Sequence, residues 1–401
     1  MNKIFKTLAF AVVATALISC DKDAKWDNND IDINVPSDGY IFFDTELGTR
    51  GELVYDYLKA DFRVLGYRYE TLWENHKSSI AQDKTFVYKW IDNNGVEKTE
   101  TVNYGIFRPE ADTISGNSYA QLVKWNATSG VHEYTPLKEW NIAFTYSFFA
   151  WYPSSLVPCD GEHEGNPYIT YTLDRTDPTN HVDVMTACNV DTRPGQSKSV
   201  ALEMNHRLSA LDIIARSYVN DAAVGMDDGT GAKVKLDSIS LKLDGIMYDN
   251  VRIPLNTKPD NNGYVEPMVG SRTGESTIDW GGLSRNNRLI LYYSGNSDVV
   301  ALTNENNKTM LLIPQNSELN CYISYDYTIV DGNDNDIWDD IYKGMDNADI
   351  PAKTATQKIT LKKLQEGTYY NLLLTFTKSG VTIIVLEADE WTDKPVKHQF
   401  E

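Results

Sequence analysis

Strict alternation of apolar and polar side chains recurs along this chain and restricts its fold more than any other feature. Cys321, Ile323, Tyr325, Tyr327 and Ile329 share one face of a period-two segment, with Ser324, Asp326 and Thr328 opposite. Tyr370, Leu372, Leu374 and Phe376 repeat the pattern. After Lys378-Ser379-Gly380 it resumes at Val381, Ile383 and Val385, which predicts a hairpin. Val234 and Leu236 alternate, then Ile239, Leu241 and Leu243 continue one residue out of phase, which predicts a bulge. Further strands are predicted at 40–47, 86–91, 146–151, 200–208, 289–293 and 310–313. Turns are predicted at Asn93-Asn94-Gly95, Pro194-Gly195 and Asn261-Asn262-Gly263. Amphipathic helices are scarce, with 53–58 and 338–342 as short candidates. Many short strands between turns argue for an all-β chain of antiparallel sandwiches. With 401 residues, 41% of them hydrophobic, the chain has material for two cores. The polar stretch before Val200 divides it into segments 40–196 and 197–401.

The opening residues have a different character. Lys3 and Lys6 precede an apolar run over 8–18 that is closed by Leu17-Ile18-Ser19-Cys20. That is the layout of an export signal, too short for a membrane-spanning helix. The closing tetrapeptide resembles the lipobox of bacterial lipoproteins. The resemblance implies that 1–19 is a signal peptide, cut before a Cys20 whose sulfur carries a diacylglycerol, and acylation of that kind holds a protein on a membrane surface. Residues 20–39 are polar and aperiodic and read as a tether, able to reach roughly 65 Å when extended.

A formal net charge of −20 argues against nucleic acid or anionic lipid headgroups as partners. The 24 Tyr, 12 Phe and 9 Trp exclude a disordered polyanion. Apart from Cys20 there are three cysteines, and an odd number excludes a purely intramolecular disulfide framework. Cys188 and Cys321 read as small buried hydrophobes, with a Cys159–Cys188 bridge as the alternative.

Several segments together resemble the fimbrillin family, pilus-subunit lipoproteins of Bacteroides-type bacteria. They are Phe42-Phe43 with Gly48-Thr49-Arg50, Tyr146-Ser147-Phe148-Phe149-Ala150-Trp151-Tyr152-Pro153 and Asp183-Val184-Met185-Thr186-Ala187. The run Val200 to Ser209, Leu311-Leu312-Ile313-Pro314-Gln315 and the closing hairpin up to Trp391 complete the set. The resemblance implies two transthyretin-like antiparallel β-sandwich domains in series. It also implies a place in surface fimbriae, anchored at the outer membrane and partnered by other fimbrial subunits. Assembly in that family implies that an arginine-directed protease removes the first strand and that a neighbouring subunit's strand takes its place. Arg50, followed by Gly51, fits such a cut. Ile41, Phe43 and Leu47 lie on one face of the segment upstream, so its removal uncovers an apolar trough with unpaired backbone groups. One departure from the family pattern is the polar tail after Trp391, poor material for a donor strand, which leaves shaft, tip and anchor roles open.

No catalytic, metal or cofactor site is expected. His206 falls in phase with Val200, Leu202, Met204 and Leu208 and is expected to point inward, bonded to a neighbouring carbonyl. His132-Glu133 and His163-Glu164 lack the second histidine of a zinc helix, and His76, His181 and His398 show no metal spacing. The acidic run Asp331 to Asp336, with Asp339 and Asp340, resembles a Ca²⁺ loop only loosely. Asp336 stands where an EF-hand needs glycine and Tyr342 where it needs glutamate, so a solvated loop is expected. Gly282-Leu283-Ser284-Arg285-Asn286 misses the last glycine of a nucleophile elbow. A non-enzymatic structural or adhesive subunit is therefore expected. The alternative is a glycan-binding lipoprotein of a polysaccharide-uptake system, with Trp73, Trp90, Trp125 or Trp140 stacking on sugars; in sandwiches such residues are more often core.

Overall fold

The computed structural model describes residues 39–47, 58–76, 80, 84–107, 120–159, 167–174, 180–195, 199–256, 266–267, 272–282, 289–294, 299–302 and 309–388. Its described part is built of strands, with three single-turn helices: α1 (Trp73–His76), α2 (Asp221–Val224) and α3 (Trp338–Ile341).

One seven-stranded sheet contains β1 (Phe43–Leu47), β2 (Phe62–Tyr69), β5 (Gln121–Asn126), β6 (Val131–Glu133), β7 (Thr145–Tyr152), β10 (Met185–Thr192) and β11 (Val200–His206). Its order is β1-β11-β10-β7-β2-β5-β6. One face forms a single core from Phe43, Phe62, Val64, Val123, Phe148, Ala150, Ala187 and Leu202. Because strands from end to end of the sheet share that core, the sheet rolls around it, and its two edges, β1 and β6, come near each other. On the opposite face, Leu65, Tyr67, Phe149 and Trp151 of β2 and β7 meet Ile169, Tyr171, Val251 and Ile253. These belong to a four-stranded sheet of β8 (Pro158–Cys159), β9 (Tyr168–Thr172), β14 (Asn250–Pro254) and β15 (Glu266–Pro267), ordered β15-β14-β9-β8. Burial on both faces explains why the 146–151 segment reads as a continuous apolar run.

A hairpin of β3 (Thr85–Ile91) and β4 (Glu97–Asn103) closes through the Asn93-Asn94-Gly95 turn, where Asp92 Oδ1 accepts from the Asn94 and Val96 amides at 2.9 Å each. Just beyond it, the 104–107 segment lies across β2, with the Arg68 and Ile106 amides bonded to the Tyr104 and Gly66 carbonyls. Gly66 makes that approach possible: a Cβ there would meet Ile106 Cδ1 at 2.6 Å.

The remaining strands form a two-sheet sandwich. One sheet contains β12 (Ser209–Ser217), β18 (Val300–Ala301), β19 (Met310–Leu312), β22 (Tyr369–Thr377) and β23 (Gly380–Ala388). The other contains β13 (Lys233–Tyr248), β16 (Arg272–Gly282), β17 (Leu289–Leu291), β20 (Leu319–Val330) and β21 (Thr354–Leu361). Between them Leu211, Ile213, Leu372, Leu374 and Phe376 interlock with Leu236, Ile239, Leu241, Cys321, Ile323 and Tyr327. The alternation in β20 and β22 therefore points as expected, and burial pushes the Cys321 thiol up to about 12. The β22–β23 hairpin is present, and the β13 bulge is a register shift between Leu236 and Ser238.

The expectation of purely antiparallel sheets requires correction. β1 runs parallel to β11, and β12 parallel to β22. In both cases the chain makes a long excursion between the two strands, which is what a parallel neighbour requires. The predicted strand at 289–293 shortens to Leu289–Leu291, and Tyr293 makes an isolated bridge to Ser217. The predicted helix at 53–58, except Leu58, and the turn at 261–263 lie outside the described residues.

Candidate functional site

The segment 39–47 enters the seven-stranded sheet as an edge. Its start is clamped by backbone bonds from the Ile41 amide to the Lys138 carbonyl and from the Trp140 amide to the Gly39 carbonyl, each 2.8 Å. The Tyr134 hydroxyl adds a third, donating to the Ile41 carbonyl at 2.8 Å. Among the described residues, β1 pairs with β11 alone from Phe43 onward, in register Phe43↔Val200 to Leu47↔Met204.

Ile41 and Phe43 fill the slot beneath. Ile41 is fully buried, and the Phe43 ring sits edge-on to Phe148 at 5.3 Å, with Tyr134 at 5.6 Å and Phe62 at 6.5 Å. Burial of two such side chains stabilises docking by roughly 1.5–3 kcal/mol each. The third inward position works against it. Thr45 is fully buried, and its hydroxyl has no hydrogen-bond partner among the described residues. That costs about 1–3 kcal/mol. The strand is thus held by one ladder, one clamp and two large side chains, with an unsatisfied group at its centre. Burial lifts the Tyr134 hydroxyl to about 12, so the clamp donor stays protonated at neutral pH. Burial likewise holds His132 below its ordinary range, close to the Ala60 carbonyl at 3.3 Å.

Ile41 and Phe43 therefore share one face, as their spacing predicts. The backbone of Leu47 is in β1, while Cys20, Arg50, Gly51 and the tail after Trp391 lie outside the described residues. Thr45, Tyr134 and Lys138 were not anticipated; the sole signal was the alternation of His132 and Tyr134.

His206 departs from its expected contact. Its Nδ1 lies 2.6 Å from Asp183 Oδ2, a carboxylate rather than a carbonyl, because β11 ends there beside β10. The deep position belongs to Arg207, 1% exposed and 3.3 Å from Glu366. His181, which shows no metal spacing in sequence, is buried between the Asp174 carbonyl, 2.7 Å from Nε2, and the Leu311 amide, which donates to Nδ1 at 3.1 Å. Such a pair of backbone partners fixes the Nε2–H tautomer. In the acidic loop, Asp331 Oδ1 accepts from the Asn333 and Asn335 amides at 2.8 and 2.9 Å. Asp334 and Asp336 pair with Lys233 and Lys353 at 2.7 and 2.9 Å. These carboxylates face their own backbone and two lysines. Trp73 is core, 2% exposed; Trp90, Trp125 and Trp140 are half-buried.

A family model described as fimbrillin-like matches residues 81–391, well over half of the chain. The chain belongs to the fimbrillin-like family. This fimbrillin-like chain shares its fold with a fimbrial protein from Bacteroides vulgatus, at 16% identity and a TM-score of 0.52, covering 88% of this chain and 99% of that one. Candidate cell adhesion proteins from Bacteroides uniformis and Bacteroides ovatus match at 13% and 12% identity. Their TM-scores are 0.40 and 0.41, with 88% and 89% of this chain and 99% and 98% of theirs covered. No curated protein matches the fimbrillin-like sequence.

Proposed function

We propose that this chain is a structural or adhesive subunit of cell-surface fimbriae. In this reading the precursor is exported, lipidated at Cys20 and held at the outer membrane. Its two halves, 40–196 and 197–401, act as transthyretin-like domains in series. A cut at Arg50–Gly51 then frees the leading strand, and a strand from another subunit occupies the slot. The observation that carries the reading is Phe43: a large apolar side chain of a singly paired edge strand, seated in an aromatic slot that any replacement strand must refill. The working chemistry is main-chain hydrogen bonding and apolar insertion, with no catalytic step.

Limited trypsin treatment of the purified precursor tests it. A cut near Arg50 followed by SDS-resistant ladders is the expected outcome. A product that is cut and stays monomeric assigns the chain to a tip or anchor position. Resistance to cutting there removes strand exchange from the mechanism.

A further inference from the structure

Where β1 and β6 approach, the rolled sheet leaves a cleft of about 820 Å³. Small-ligand sites span roughly 300–1,000 Å³. One wall is the partly exposed indole of Trp125 on β5. It is braced by the His132 ring, 4.9 Å away, which itself sits edge-on to Phe62 at 5.1 Å. Phe42, just before β1, also lines the cleft, as do the exposed carboxylates of Asp44 and Glu133. Glu133 is held in place: its Oε1 accepts from Asn126 Nδ2 at 2.9 Å and from the Ser129 hydroxyl at 3.0 Å.

We propose that this cleft binds a glycan through an uncharged pyranose unit. The apolar face of a pyranose matches a supported, partly exposed indole. Carboxylates only accept hydrogen bonds, so two of them at one opening call for a ligand rich in hydroxyl donors, and such bonds are the stronger charge-assisted kind. The same carboxylates, on a chain of net charge −20, repel uronates, sialic acids and sulfated sugars. A peptide strand inserted between the two edges fits less well. Flanking it on both sides requires about 9.5 Å between β1 and β6. The Tyr134 and Lys138 bonds to Ile41 already tie the edge of β1 to the chain that follows β6.

Because Phe42 and Asp44 belong to the docked segment, the cleft exists only while that segment stays in place. Occupancy and docking therefore stabilise each other, by the linkage that makes any ligand of one state favour it. Under the assembly reading a cut at Arg50 removes both residues, so the uncut chain presents the site and the processed subunit does not.

The test uses the chain without its signal peptide and with the Arg50–Gly51 bond intact, on an array of neutral oligosaccharides from glucan, mannan, galactan and xylan, printed beside uronate-containing and sulfated ones. Hits are titrated by tryptophan fluorescence and calorimetry. Neutral fragments are expected to bind. Trp125→Ala is expected to weaken binding roughly tenfold or more, and Glu133→Gln several-fold. Trp90→Ala, on β3 outside the cleft, is expected to leave affinity unchanged. Thermal melts of each variant show that the fold is kept, and Glu133→Gln, nearly isosteric, guards against a Trp125 variant that fails to fold. Absence of binding to every neutral fragment, preference for the anionic sugars, or affinity equal to wild type in Glu133→Gln and folded Trp125→Ala overturns the proposal. SDS-resistant laddering is scored separately, so its loss or retention reports only on assembly.

Discussion

Arg207, the residue after β11, and Glu366, in the loop before β22, form an ion pair 3.3 Å apart with each side chain 2% exposed. The pair joins the end of the rolled sheet to the sandwich, beside the Leu208 carbonyl that accepts from the Gly367 amide at 3.0 Å. Removing one member leaves a buried charge without its counter-ion, which costs about 3–5 kcal/mol. Glu366→Gln and Arg207→Met are each expected to lower the denaturant midpoint strongly, while Arg207→Met combined with Glu366→Leu recovers most of the loss. Guanidinium titrations of the three variants check this; single variants with wild-type midpoints contradict it.

Thr45 is the weak point of the docked strand. Thr45→Val keeps the side-chain shape and removes a buried hydroxyl without a partner among the described residues. It is expected to stabilise docking by about 1–2 kcal/mol. Amide exchange along β1 measures the effect: protection should rise at Asp44 to Leu47 and stay level in β20. Unchanged or faster exchange at β1 refutes it.

Gly66 leaves room for the 104–107 segment. Ile106 and Phe107 atoms would lie 2.6–2.7 Å from an added Cβ, and both side chains are packed in the core around Phe43. Gly66→Ala is expected to destabilise by about 1–3 kcal/mol through overpacking. A thermal melt decides the matter, and a melting temperature equal to wild type would show that the segment shifts freely.

The clamp on Ile41 has an alkaline limit. Tyr134 is held near 12 by burial against an ordinary value of 10, so the folded state binds its proton more tightly than the unfolded chain. Below pH 10 both states are protonated and the clamp is intact. Between about pH 10 and 12 the unfolded state ionises first, and stability falls by on the order of 2 kcal/mol. Denaturant midpoints collected across that range should decline less in Tyr134→Phe, which has no proton to lose but starts lower for want of the hydrogen bond. Parallel declines in both proteins count against Tyr134 as the titrating clamp.

Much of the architecture was legible in residue order. The period-two faces of β20 and β22, the turn at Lys378-Ser379, the slip after Leu236 and the single turn at Trp338 all follow from contacts within a few residues. In the candidate site, Ile41 and Phe43 were legible for the same reason. Thr45 was not, because alternation marks which way a side chain points and carries no information on whether a partner awaits it. The partner of His206 was not legible for a related reason: it keeps phase with β11 and its side chain is only 11% exposed, but at the strand's end Asp183 of the chain leading into β10 reaches it.

Alternation alone determined that this chain is built from strands, which faces are apolar and where hairpins close, since those outcomes depend on a side-chain period and on turn chemistry. Tertiary structure decided which strands meet across long separations. It set β1 parallel to β11, placed β14 on β9, buried Arg207 against Glu366 and shaped the cleft between β1 and β6. Such pairings are selected by the fit of whole sheets around shared cores, a property of no local window of sequence.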